Sequence, residues 1–271
     1  MTTGMIPAVT TVDAHAYVGP WAFRYLTSTE PDALLRRLDR AGVERALVSA
    51  TEAITFKDPQ PANRLLAGRV RGREDRLLPV ASLNPRLVGW EQDWQECLAD
   101  LSPVALRLHP SYHGYSPTDG EARRLIDAAT ADGRPVLLVV RIEDERVHHP
   151  LARVAAVPIE DVAVALRASP GANFVLSGIR LAEVKALVAR APDAANYAVE
   201  ISHLQHPLDA LEGLRALLPA DRIWLGTGAP LLMPEAAIYK VAMARLPDSE
   251  KAAILGGNAS RALGGPGALQ G

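Results

Sequence analysis

The stretch TDGEARRLIDAATADGRPVLLVVR, Thr118–Arg141, changes its period in the middle. As far as Ala131 its apolar residues return at three- and four-residue steps, the repeat of one helix face. Thr118 stands three residues before Glu121, a capping-box spacing, and Gly133 offers a stop. Pro135–Arg141 then reads as a short apolar, β-branched run, a strand. A helix running at once into such a strand is half of a β-α-β unit, and that unit implies a parallel sheet.

The same alternation extends in both directions. Strand-like runs occur at 11–18, 44–50, 77–83, 104–110, 135–141, 173–178, 197–202 and 222–226. Helical patterns lie at 31–42, 118–133, 181–192 and 207–220; the first has Thr29 as a cap, Pro31 early and Gly42 as a stop. Eight strands separated by helices predict an α/β fold, a single (β/α)8 TIM barrel. An open doubly wound sheet is the rival, but no GxGxxG or GxxxxGK[ST] loop follows the first strand to support it. A barrel of this kind takes about 250 residues. The 271 residues here therefore predict one domain over 1–271, with the tail expected to fray from about residue 264.

With 48% hydrophobic and 22% charged residues, the composition is that of a globular protein with a large core. The formal net charge of −2 gives no electrostatic case for nucleic acid or an anionic membrane. No apolar run is long enough for a membrane span, and no basic-then-apolar leader begins the chain. Cys97 is the one cysteine, which excludes an internal disulfide and suits a reducing compartment. These features predict a cytoplasmic protein with a small-molecule substrate and no nucleic-acid or membrane partner. They leave a homo-oligomer open. In its helix-like run Cys97 reads as a packing residue rather than a nucleophile.

Barrel chemistry sits at the carboxyl ends of the strands. Those ends collect His15 and Tyr17, then Arg107 and His109, then Arg141, Glu143 and Asp144. Ser177, Glu200, Ser202, His203 and Thr227 complete the ring. In VDAHAYVG, Val12–Gly19, residues two apart share a face, so Asp13, His15 and Tyr17 point together. Two histidines at that spacing would clamp a metal; here the second position is tyrosine.

These residues resemble the amidohydrolase superfamily, in its decarboxylase-like and lactonase-like branch. The resemblance spans nearly the whole chain and rests on DAHAYVG, LLPVASLNP, ALRLHP, GRPVLLVV, RIWLGTGAP and ILGGNASRAL. It implies a metal held by an HxH pair on strand one, histidines on strands five and six, and an aspartate after strand eight. Here only His15 matches. Tyr17, Val139, Gly178 and Gly228 occupy the other positions, with Ser177 beside Gly178. A catalytic zinc wants three protein ligands, so no metal and no other cofactor is expected.

The remaining groups predict a metal-independent enzyme acting by general acid–base chemistry on a small carboxylate- or carbonyl-bearing molecule. The reaction is a hydrolysis, a decarboxylation or a cyclisation/isomerisation. His15, Tyr17, His109 and Glu200 are the catalytic candidates. Arg24, Arg107, Tyr112, His113, Arg141, Glu143, Ser177, His203 and Thr227 are the substrate-binding candidates. Arg107 and Arg141 suit an anionic group, or equally ion pairs with Glu143, Asp144 or Glu200. Pro110 and Gly114 favour a loop around His109 and His113. Trp21, Phe23, Tyr25, Tyr112 and Tyr115 would wall a pocket or seal the barrel end. A ligand-binding pseudoenzyme and a metal-dependent hydrolase with relocated ligands are the alternatives.

Overall fold

A computed structural model describes residues 9–205, 207 and 209–264. All eight strands form: β1 Val12–Val18, β2 Arg45–Ala50, β3 Leu77–Ser82, β4 Ala105–Leu108, β5 Val136–Val139, β6 Phe174–Ser177, β7 Tyr197–Glu200 and β8 Ile223–Trp224. Each pairs in parallel with the next, in sequence order. The segment after β8 closes the ring on β1: Ala14 N–H donates to Leu225 O (2.8 Å), Tyr17 N–H to Ala229 O (2.7 Å) and Gly228 N–H to His15 O (2.7 Å). The chain is a single (β/α)8 barrel. The expected fraying tail lies outside the described residues beyond Gly264.

The outer helices bury the faces their periodicity marks. In the helix Pro31–Ala41, Leu34, Leu38 and Ala41 turn inward, and Gly42 ends it at φ 76°. Burying the two leucines is worth about 1.5–3 kcal/mol each. Thr29 does not cap this helix; Glu30 is the cap residue, because a residue before proline is driven extended. Nor does Thr118 cap the helix Gly120–Ala131. Asp119 stands at that position, and Thr118 instead bonds Ser116 Oγ at 2.7 Å within the preceding turn. The Pro110–Gly114 stretch is not a loop but one helical turn, Pro110–His113, since proline is favoured at a helix's first position. Cys97 packs as expected: it is buried, its thiol donates to Gln60 Oε1 at 3.2 Å, and burial pushes it up to about 12.

The floor of the barrel is a packed layer in which Ala14, Ala105 and Ala198 make room for Trp224, with Ala259 and Leu263 of the helix Asn258–Leu263 below. The GGN turn anchors that helix. A Cβ on Gly256 would come within 1.9 Å of Thr10 O, and Asn258 Nδ2 donates to Ala220 O (2.7 Å) and Ile223 O (2.8 Å). No described helix is long and apolar enough to cross a membrane.

Candidate active site

Asp13, His15 and Tyr17 share one face of β1, and each has a different task. Asp13 is fully buried. Its Oδ1 accepts the backbone N–H of His15 and of Thr227, both at 2.9 Å, and its Oδ2 accepts the Thr227 hydroxyl. The carboxylate thus staples β1 to the end of β8; burial pushes its pKa up against those bonds. Tyr17 reaches across the barrel, its hydroxyl 3.1 Å from His109 Nε2 beyond β4. The His15 ring meets Tyr17 edge-on, with centroids 5.2 Å apart.

His15 and His109 both lie well below the usual imidazole pKa. Burial is the main cause for each, followed by Arg107 for His15 and by His113 and Arg107 for His109. Both rings are therefore neutral at pH 7, each with one donor and one acceptor nitrogen. Nδ1 of each is buried with no protein partner. A buried polar atom left bare is costly, so each nitrogen marks a place for a substrate atom or a water. Burial pushes the Tyr17 phenol up to about 12, so it stays protonated.

The arginines are engaged by the protein. Arg107 is fully buried, with its guanidinium carbon 4.6 Å above the centroid of the Tyr17 ring. It donates to Ala16 O (2.8 Å), Leu47 O (3.2 Å) and Ala14 O (3.3 Å). Arg141 forms a two-pronged pair with Glu183 and donates to Gly178 O at 2.7 Å. Its partner is thus none of Glu143, Asp144 and Glu200. Each arginine keeps a buried Nε without a hydrogen-bond partner.

Glu200 is walled in by donors: Ser202 N–H at 2.6 Å, Gly178 N–H at 2.7 Å and the Ser202 hydroxyl at 2.8 Å. A Cβ on Gly226 would fall 1.9 Å from Glu200 Oε2, so glycine is required there. Because the Ser202 hydroxyl donates to Glu200, it accepts from His203 Nδ1 at 3.0 Å. That leaves His203 Nε2 as a buried acceptor without a partner. Burial, then Arg141 and Arg180, hold His203 down at about 4.

The other candidates are scattered. Arg24 lies 3.1 Å from Glu143 and donates to Leu231 O at 2.8 Å. His113 Nε2 is 2.9 Å from Ala53 O. Thr227 is committed to Asp13, and the Ser177 hydroxyl is buried without a partner.

Over the cluster Trp21, Phe23 and Tyr112 take part in a seal, whereas Tyr25 is 89% exposed and takes no part in it. Trp21, Ile54, Val139, Ile142 and Leu231 close over Tyr17, with Phe23 and Tyr112 packed against them. Phe23 stacks on His149 at 5.6 Å. The hollow beside His109, also lined by Tyr112, Val139 and His148, holds only about 10 Å³. That is room for one water at most.

A larger hollow of about 560 Å³ opens beside β7 and β8, floored by Ser202 and Thr227 and reached by Lys240. Lys240 escaped the sequence reading, as did Glu183. Each sits on an outer helix, and only tertiary packing brings it to the strand ends. The one signal for Lys240 was a lone cation in the apolar run AAIYKVAM.

A parallel barrel with its histidines at the strand ends defines a class of barrel enzymes. The sequence matches the amidohydrolase family model over residues 12–265, and the chain belongs to that enzyme family. No curated protein matches it by sequence. Among solved structures it is similar to 5-carboxyvanillate decarboxylase LigW from Sphingomonas paucimobilis, at 14% identity and a TM-score of 0.70, covering 94% of this chain and 99% of that one. It is likewise similar to 2,6-dihydroxybenzoate decarboxylase from Rhizobium, at 17% identity and a TM-score of 0.69, covering 94% and 98%. A third is a dihydroxybenzoic acid decarboxylase from Polaromonas sp. JS666 with bound manganese, at 16% identity and a TM-score of 0.69, covering 94% and 97%.

The residues here do not fit a metal centre of the family's kind. Gly178 and Gly228 have φ of +70° and +71°, where a side chain is strained. A Cβ on Gly178 would also lie 2.1 Å from Arg141 O. Val139 carries no donor atom. Tyr17 ligates only as phenolate, and its environment opposes ionisation. Among the described residues no three His, Cys, Asp or Glu side chains converge as a metal would need.

Proposed function

We propose that this amidohydrolase works without its family's metal, on a small carboxylate- or carbonyl-bearing molecule, by general acid–base chemistry at His15, Tyr17 and His109. The observation that carries this reading is the Tyr17–His109 contact of 3.1 Å beside His15, with Nδ1 of both histidines buried and unpartnered. Neutral His15 accepts a proton from the substrate or a water. Protonated Tyr17, braced by His109, polarises the reacting oxygen. Arg107 above the Tyr17 ring favours negative charge developing nearby. The three similar decarboxylases act on small aromatic carboxylic acids by name, which supports that substrate class. Entry requires the loop bearing Trp21 and Phe23 to swing away from Tyr17.

The seal over Tyr17 favours a second reading, a ligand-binding protein that has kept the fold without turnover. One experiment separates the two. The purified protein is analysed for metals and assayed against small aromatic and unsaturated carboxylic acids, alongside His15→Ala. The proposal expects no stoichiometric transition metal, and turnover that falls about 10²–10⁴-fold in the variant. One tightly held metal per chain, lost together with activity on chelation, would overturn it. Binding without turnover would select the second reading.

A further inference from the structure

The hollow beside β7 and β8 is lined by none of His15, Tyr17 and His109, and its floor residues Ser202 and Thr227 bond Glu200 and Asp13. Its volume, about 560 Å³, lies within the roughly 300–1,000 Å³ of small-molecule sites. Leu232, Met233, Tyr239 and Met243 form its walls, and the last three are 63%, 66% and 82% exposed. Lys240 is the one charged side chain among its described lining residues. It projects from the helix Pro234–Met243 and donates from Nζ to Ile201 O at 3.0 Å, at the carboxyl end of β7. That uses one of three N–H donors, and no described carboxylate pairs with it. An amine placed among apolar side chains without a counter-ion is driven toward its neutral form. Burial holds Lys240 down at about 8, with Glu200 opposing. At pH 7.5 it thus offers about 200-fold more neutral amine than an ordinary lysine.

We propose that Lys240 is a reactive amine that binds an apolar aldehyde or ketone in this hollow as an imine. Nζ forms a bond to the carbonyl carbon while the C=O electrons move to oxygen. Both Nζ hydrogens leave with that oxygen as water, and the C=N bond remains. The apolar walls take the carbon chain, and the strand ends hold the imine at the barrel mouth. Trapping this adduct needs no turnover, so the idea stands or falls apart from the role of His15.

The test treats the whole protein with hexanal and sodium cyanoborohydride between pH 6 and 10 and maps the alkylated peptides. Lys240 should label at least tenfold faster at pH 7.5 than Lys57, Lys185 or Lys251, with a midpoint near pH 8. Lys240→Arg, shown to be folded by its melting curve, should lose that label. Met243→Gln, which adds polarity without a charge beside Lys240, should slow hexanal several-fold while changing acetaldehyde little. Labelling spread evenly over the lysines, or none at Lys240, would overturn the reactive amine. Equal trapping of hexanal and acetaldehyde in both proteins would overturn the apolar ligand.

Discussion

Acidification from pH 7 to 5 should destabilise this protein, and the buried histidines set the size of the effect. His15, His109, His113 and His203 are all held below the ordinary imidazole value, in each case chiefly by burial. Unfolded, each takes up a proton near pH 6.5. Folded, each stays neutral to a lower pH. Below pH 6.5 the unfolded state therefore binds more protons, and stability falls as pH falls. One such group costs about 1.4 kcal/mol per pH unit. His203 titrates at about 4 in the folded state, so it acts from pH 6.5 down to 4, for about 3 kcal/mol in all. Two histidines acting fully would remove about 4 kcal/mol by pH 5. Asp13 and Glu200 have the opposite sign: burial raises both, so the folded state gains their protons first on acidification. That offset begins only once pH reaches their raised values. The assay is urea unfolding at constant ionic strength, with free energies compared at pH 7.5, 6.5, 5.5 and 5.0. His203→Asn should flatten the curve by about 1.4 kcal/mol per pH unit. A change from pH 6.5 to 5 smaller than one histidine's share would refute the picture of a neutral, buried cluster.

Three substitutions test the other contacts. Gly226→Ala drives a methyl into the Glu200 carboxylate and breaks up to three hydrogen bonds, so stability should fall by about 3 kcal/mol or more in a thermal melt; an unchanged melting temperature would show that Glu200 is not held there. Arg141→Met strips Glu183 and Gly178 O of their partner and should cost about 2–3 kcal/mol, since Glu183 is partly exposed; unchanged stability with lost binding of a carboxylate such as benzoate would make the arginine a ligand contact instead. Tyr17→Phe should cost only about 1 kcal/mol of stability, yet remove most turnover with a confirmed substrate; full activity would remove Tyr17 from the proposed mechanism.

The strands were legible because a parallel sheet covered on both faces demands apolar runs, which 77–83 and 135–141 supply almost without interruption. Face parity was legible too: Asp13, His15 and Tyr17 do turn inward together. What the chain hid was the partner at the far end of each long side chain. For Arg141 the sequence offers Glu143, Asp144 and Glu200 as partners at the strand ends, yet Glu183 arrives from the helix Leu181–Arg190. Lys240 depends on how the helix Pro234–Met243 is rotated against β7, which local periodicity does not encode. Caps were misplaced by one residue where proline or aspartate competes for the turn. Gly178 and Gly228 stand where the resemblance would put two of the family's ligands. Their left-handed φ values, and for Gly178 its contact with Arg141 O, show positions the backbone now reserves for glycine.

Tyr17 connects these changes. The family's second histidine would present a lone pair to a cation. The phenol instead lies flat beneath Arg107 and hydrogen-bonds His109. A metal ion beside His15 would meet a buried guanidinium that Asp13 and Glu200 only partly offset, because backbone N–H groups already claim those carboxylates. The same guanidinium is compatible with neutral imidazoles and with an anion. In the proposed reading the positive charge that the family takes from its metal comes here from Arg107, fixed by the carbonyls of Ala14, Ala16 and Leu47. Such a charge cannot bind and activate water as a metal does. It can stabilise negative charge on a substrate while His15 moves the proton, so chemistry that begins with proton transfer suits this site better than metal-hydroxide attack.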